Sequence, residues 1–280
     1  MEINKEWESF MRKETDMEKV RDMAINFLYL AMVPSEQFGG MFVSHPFVNS
    51  AFYPGSDGKI GNLLEDEGLY EKFLEEKREK IGSIERYREF DSLIEKPYRM
   101  AFLKYTYEYL SRKDLADYLK DAWISAENPN SDVNVTVSEL KKFFRNADKE
   151  VLMDERERDL LKSLPGEVEV FRGITKKRGK VQALSWTLDA GKAEWFANRF
   201  SSKGEVYRAK ISKEDIYAVF LSRGEQEVVL NPAKLRDIEL AVDFGALDMQ
   251  IEKAQGVLEK GMHVSGNGRG LQGKGNKIRE

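Results

Sequence analysis

The apolar residues of this chain change their period near residue 150, and that change restricts the fold more than any other feature. Before it, Trp7, Phe10, Met11, Val20, Met23, Phe27 and Leu30 recur at the spacing of one helix face. After it, Glu167-Val168-Glu169-Val170-Phe171 alternates polar and apolar residues, as a strand with one buried face does. Helical and strand patterns in separate blocks imply an α+β fold, not a regular βαβ alternation. Further helices are expected over 69–80, over 84–112 with Pro97 kinking or dividing it, over 114–123, and from Ser138 as an N-cap. Further strands are expected over 205–211, 216–221, 227–230 and 238–242. One helix interrupts them: Ala193, Phe196, Ala197 and Phe200 fall at i, i+3, i+4 and i+7 behind Asp189 as N-cap.

Residues 34–61, rich in Gly, Pro, Ser and aromatics, read as an irregular connection. Beyond residue 253, Gly, Lys and Asn dominate and imply a flexible tail, basic near its end at Arg269, Lys274, Lys277 and Arg279. The expected organisation is a mostly helical domain (1–150), a mixed β-sheet domain (151–250) and the tail (251–280).

What the chain lacks limits its chemistry. It has no cysteine, which excludes disulfides, thiolate metal sites and a cysteine nucleophile. Its two histidines, His45 and His263, make a multi-histidine metal site an unattractive reading, so no metal is expected. His45, within Ser44-His45-Pro46, reads as structural and not as a catalytic base. The 45 basic and 49 acidic residues give a net charge of −4, against a general nucleic-acid binder; nucleic acid is not favoured as partner, though the basic end of the tail leaves it open. The N-terminal MEINKEWESF lacks the basic and apolar regions of a secretory signal. The longest apolar stretch, near 24–33, falls well short of the roughly 20 residues a membrane span needs. A cytoplasmic protein without a membrane partner is the expectation.

Three short stretches then stand out in order: Val170-Phe171-Arg172-Gly173 ending a strand, Leu184-Ser185-Trp186-Thr187 leading into the helix behind Asp189, and Gly224-Glu225-Gln226-Glu227 running into a strand. Taken singly, each has an ordinary explanation: a surface charge, a helix cap, a solvated strand edge. Their order and spacing argue otherwise. Together they resemble the ADP-ribosyltransferase superfamily, in the branch defined by Arg, Ser and Glu motifs, which includes bacterial toxins and phage enzymes. The family pattern is aromatic-Arg-Gly, then a Ser-Thr-Ser-like strand, then Glu-x-Glu. Phe171-Arg172-Gly173 matches the first and Glu225-Gln226-Glu227 the third; Ser185-Trp186-Thr187 matches the second with Trp in place of the middle Thr and Thr in place of the last Ser. The resemblance covers 167–242.

The resemblance implies a core of two packed, strongly twisted sheets and an enzyme that transfers ADP-ribose from NAD as substrate to an arginine of a protein acceptor. Arg172 would contact the NAD phosphates or adenosine ribose. The Gly173 backbone would lie close to the nicotinamide amide, Ser185 would orient the second glutamate, and Ser185 and Thr187 would both belong to the NAD-binding residues. Phe196 would pack against the nicotinamide ring, and Arg199 would bind a phosphate. Glu227 would stabilise the oxocarbenium-like ribose, and Glu225, two residues away on the same strand face, would hold and help deprotonate the acceptor. This chemistry needs carboxylates, arginines, hydroxyls and an aromatic shelf. An NAD glycohydrolase, or a binding module on a degenerate scaffold, are the alternatives. The helical half has no recognisable motif; acceptor recognition, inhibition or covering of NAD (with the aromatics of 47–53) are its candidate roles.

Overall fold

The structure is a computed structural model, and it describes residues 14–126, 132–175, 180–199 and 203–244. Trp7, Phe10, Met11, Phe200, His263 and the predicted tail lie outside them. The architecture is mixed, with helices concentrated before residue 165 and antiparallel strands after it. Among the described residues, no helix is long and apolar enough to cross a membrane.

The first half is built on α1 (Met17–Leu28), α2 (Glu67–Ser83), α3 (Arg99–Thr106), α4 (Arg112–Ser125) and α5 (Val137–Asn146). Side-chain caps start most of them: Asp16, Asp66 and Ser111 each accept a bond from the backbone N–H three residues on. The α5 start corrects the reading of Ser138 as cap. Thr136 takes that place, because Glu139 reaches back to its N–H and completes a capping box. The stretch 84–112, expected as a helix that Pro97 kinks or divides, is divided. The segment breaks into 3₁₀ turns at Tyr87–Ser92 and Lys96–Tyr98 before α3, with Pro97 in the opening turn, where its missing N–H costs nothing.

Residues 34–61 are likewise more regular than expected. They carry β1 (Val33–Pro34), β2 (Phe42–His45), β3 (Val48–Ser50), β4 (Phe52–Pro54) and β5 (Ile60–Asn62), in the small sheets β1-β2-β3 and β4-β5. Strands of two to four residues are too short to show a sequence period. His45 is buried against α1: its Nε2 meets the Leu28 carbonyl at 3.1 Å and its Nδ1 accepts from Phe47 N–H. Phe47 lies in the core, and the Tyr53 hydroxyl donates to Glu76 of α2 at 2.6 Å.

Two short helices, α6 (Lys149–Leu152) and α7 (Glu155–Ser163), lead into the second half. There β6 (Glu167–Ile174), β7 (Ser185–Thr187), β8 (Glu205–Ser212), β9 (Ile216–Phe220), β10 (Glu227–Leu230) and β11 (Arg236–Asp243) form one sheet in the order β11-β8-β6-β7-β10-β9. All its pairings are antiparallel. The expected pair of sheets is therefore one continuous sheet. Its two three-stranded halves meet at a single β6–β7 rung, Phe171 opposite Thr187. Val168 and Val170 of β6 nevertheless share a core with Trp186, Val219, Val228 and Leu230 from the other half.

Helix α8 (Ala190–Asn198), capped by Asp189 as expected, packs on β6 through Ala193 and Ala197. The helical half covers the other flank. Ala218, Phe220 and Val229 belong to the same apolar core as Phe102, Trp123 and Phe144. Helices on one face and the sheet core on the other leave β9 and β10 buried along their whole length.

A candidate active site on one rung of the sheet

The ladder registers bring the separate motifs together. Phe171 stands opposite Thr187, Thr187 opposite Glu227, and Glu227 opposite Phe220, so one rung crosses β6, β7, β10 and β9. Directly opposed residues share a sheet face. Glu227 also shares its face with Val229, two residues on, and Val229 packs into the helical core. The Glu227 carboxylate is thus directed at the helices, and it is 7% exposed. A carboxylate so buried needs donors. One comes from α4: Trp123 Nε1–H donates to Glu227 Oε1 at 3.0 Å.

Arg172 sits one residue past the β6–β7 rung, where the two strands part. Its guanidinium spans the gap, with Nε donating to the Lys180 carbonyl at 3.0 Å and Nη1 to that of Ser185. The residue keeps some exposed surface, but protein surrounds the guanidinium closely enough that burial pulls it down to about 10, opposed by the Glu227 charge. It remains a cation at neutral pH. A fixed cation and a buried carboxylate whose charges act on one another thus lie at the junction of the two half-sheets.

Thr187 ties the loop before β10 to the helix behind β7. Its Oγ1 donates to the Glu225 carbonyl at 2.7 Å and accepts from Asp189 N–H at 3.0 Å. Ser185 takes its place on β7 opposite Val229, two residues along the strand from the Glu227 rung. Trp123, which donates to Glu227, is a residue that sequence reasoning did not select.

The placement of Glu225 on one strand face with Glu227 is corrected. Strand β10 begins at Glu227; Glu225 closes a 3₁₀ turn, Ser222–Gly224. Between the glutamates Gln226 has φ +44, and Gly224 before them has φ +62. This left-handed backbone ends the extension that a face-sharing i, i+2 pair requires.

Gly173 faces α8, not open space. A Cβ there would lie 1.8 Å from the Ala193 carbonyl oxygen, so its lack of a side chain is what lets the helix close on β6. Phe196 is half-buried on α8 and meets Trp195 edge-on at 5.0 Å. Arg199 is not one turn further along the helix: it is the C-cap, with ψ 135, and its guanidinium lies over the exposed Trp195 ring at 5.3 Å.

Trp123 carries no signal that local sequence reasoning could find. It reads as the apolar face of a helix, and only the packing of α4 on β10 gives its N–H a purpose. A separate cavity of about 300 Å³, lined in part by Lys104, Tyr107, Glu139 and Lys142, lies within the helical half and includes none of these residues. Among the described residues, no cluster of three or more His, Asp or Glu side chains is arranged to hold a metal. The chain matches no family model, no curated protein and no solved structure.

Proposed function

We propose that this protein is a mono-ADP-ribosyltransferase that takes NAD as substrate and modifies an arginine of an acceptor protein. The observation that carries the reading is the convergence of three motifs, far apart in sequence, on one place. Phe171, Thr187 and Glu227 form one rung, and Arg172 beside it feels the charge of Glu227.

That arrangement suits the chemistry. The bond between nicotinamide and ribose C1 breaks, its electron pair leaves with nicotinamide, and the ribose takes oxocarbenium character, as in glycoside cleavage. Glu227, held in a dry environment, supplies negative charge to that centre. Arg172 supplies a planar donor fork to phosphate oxygens. The acceptor guanidine nitrogen bonds to C1, and its surplus proton passes to Glu225 on the turn before β10. A free guanidinium holds its proton to a pKa above about 12, so a carboxylate beside the acceptor has a defined task.

The test is incubation of the full chain with adenylate-labelled NAD and a cell lysate. Label on a protein band, located on arginine by mass spectrometry and lost in Glu227→Ala, is the expected result. Free ADP-ribose without labelled protein would turn the reading to a glycohydrolase. Unchanged activity in Glu227→Ala would remove Glu227 from the site.

A further inference from the structure

Helix α4 meets the segment 221–227 at both ends. Lys120 and Trp123 are three residues apart on α4, which puts them on one face of the helix. Trp123 holds the C-terminal end through its bond to Glu227. Lys120 acts on the N-terminal end. Its Nζ donates to Glu157 Oε2 at 2.9 Å and lies 5.8 Å from the centre of the Phe220 ring. Glu157 Oε1 in turn accepts the Leu221 N–H at 3.0 Å. Phe220 and Glu227 are opposite members of one rung, so the two α4 side chains hold the two sides of a single base from which the turn projects.

These contacts are costly ones to build. Trp123 is 1% exposed and Glu157 2% exposed. The Glu157 carboxylate tolerates such burial because it is met by donors: Lys120 Nζ, the Leu221 N–H and the Asp154 N–H of the capping box. An indole and a leucine would pack the Trp123–Glu227 position without any polar group. Keeping a carboxylate there and supplying its donor from another part of the fold points to a use for the geometry.

We propose that α4 is the positioning element of the Glu225–Glu227 loop, with Trp123 and Lys120 as positioning residues: Trp123 aims the Glu227 carboxylate, and Lys120, through Glu157, fixes where the turn carrying Glu225 begins. The helical half is then part of the site and not a separable acceptor-binding attachment. The catalytic consequence rests on the transferase reading above; the mechanical one does not. Thr187 anchors the middle of the same segment at the Glu225 carbonyl, so α4 and β7 together define the path of the chain between Phe220 and Glu227.

Two measurements on the full chain separate these. The first is amide hydrogen exchange of the 221–227 segment in wild type, Trp123→Phe, Lys120→Met and the control Asp117→Asn, whose α4 side chain pairs with Arg88 and not with the loop. Exchange in this segment should rise about tenfold or more in Trp123→Phe and by a smaller factor in Lys120→Met, with β6 and the control unchanged. Unchanged exchange in both variants overturns the clamp. Lys120→Met leaves the indole in place, so it decides the matter even where Trp123→Phe fails to fold. The second is steady-state turnover with NAD: both variants should lose kcat by about tenfold or more, with KM for NAD within about threefold of wild type. Looser exchange with undiminished kcat overturns the positioning role. Wild type inert toward NAD overturns the transferase reading, and the exchange data still decide the clamp.

Discussion

Gly173 and Ala193 are in backbone contact: a Cβ on the glycine would stand 1.8 Å from the alanine carbonyl oxygen and 2.7 Å from Ala197 N. No rotamer change relieves a clash with helix backbone, so Gly173→Ala must push α8 off β6. Overpacking of this kind costs about 1–3 kcal/mol or more. The expected outcome is a melting temperature lowered by roughly 5–10 °C, read by thermal denaturation. A melting temperature equal to wild type would mean that α8 does not pack as described.

Arg172 should not tolerate lysine. Its fork reaches the carbonyls of Lys180 and Ser185 together, and an ammonium cannot reproduce two fixed directions. Arg172→Lys should raise the Kd for NAD by about tenfold or more, since a charged hydrogen bond contributes roughly 1.5–3 kcal/mol. Calorimetric titration with NAD checks this without turnover.

The two glutamates should separate by function. Glu227→Gln keeps an acceptor for the Trp123 indole, so the fold is retained while the rate of NAD cleavage falls by about 10²–10³, the usual loss when one transition-state electrostatic contact is removed. Glu225→Gln should instead abolish arginine modification and leave NAD cleavage to water. Measuring label on protein beside free ADP-ribose for each variant checks both.

Stability should weaken in mild acid, and His45 is one source. Burial lowers its pKa from the ordinary 6.5, with Lys77 adding to the effect and the carbonyls of Leu28 and Leu30 opposing it. Below pH 6.5 the unfolded chain protonates this residue while the folded chain resists, so the unfolded state binds more protons and stability falls as pH falls. The difference in unfolding free energy between wild type and His45→Gln should therefore narrow from pH 7 to pH 5. Denaturant melts at the two pH values give the answer; a difference that widens would reverse the assignment.

Much of the second half is legible in the sequence alone. The alternation at Glu167–Phe171, the Asp189 cap and the alanine spacing of α8 are local signals, and each fell where expected. Local signals also mislead locally. Ser138 is as good a cap as Thr136, and only the reach of Glu139 back to Thr136 decides between them. Gln226 gives no hint of its left-handed backbone, which places Glu225 on a turn. Trp123 and Glu227 lie 104 positions apart, and no periodicity spans that distance. What the sequence hid was chiefly the contribution of the helical half, because a helix advertises which face is apolar and not what that face meets.

The one-rung meeting of β6 and β7 has a mechanical consequence. Resistance of a sheet to shear accumulates from successive rungs. β6 and β8 are stitched together from Glu167–Ser212 to Ile174–Glu205, whereas Phe171–Thr187 stands alone. Backbone pairing between the two leaves is thus confined to a narrow spine, with Arg172 beside it on one leaf and Glu227 on the other. Beside the one backbone rung, the Arg172 bond to the Ser185 carbonyl is a second tie between the leaves, so the cation is fastened to the leaf that carries the carboxylate.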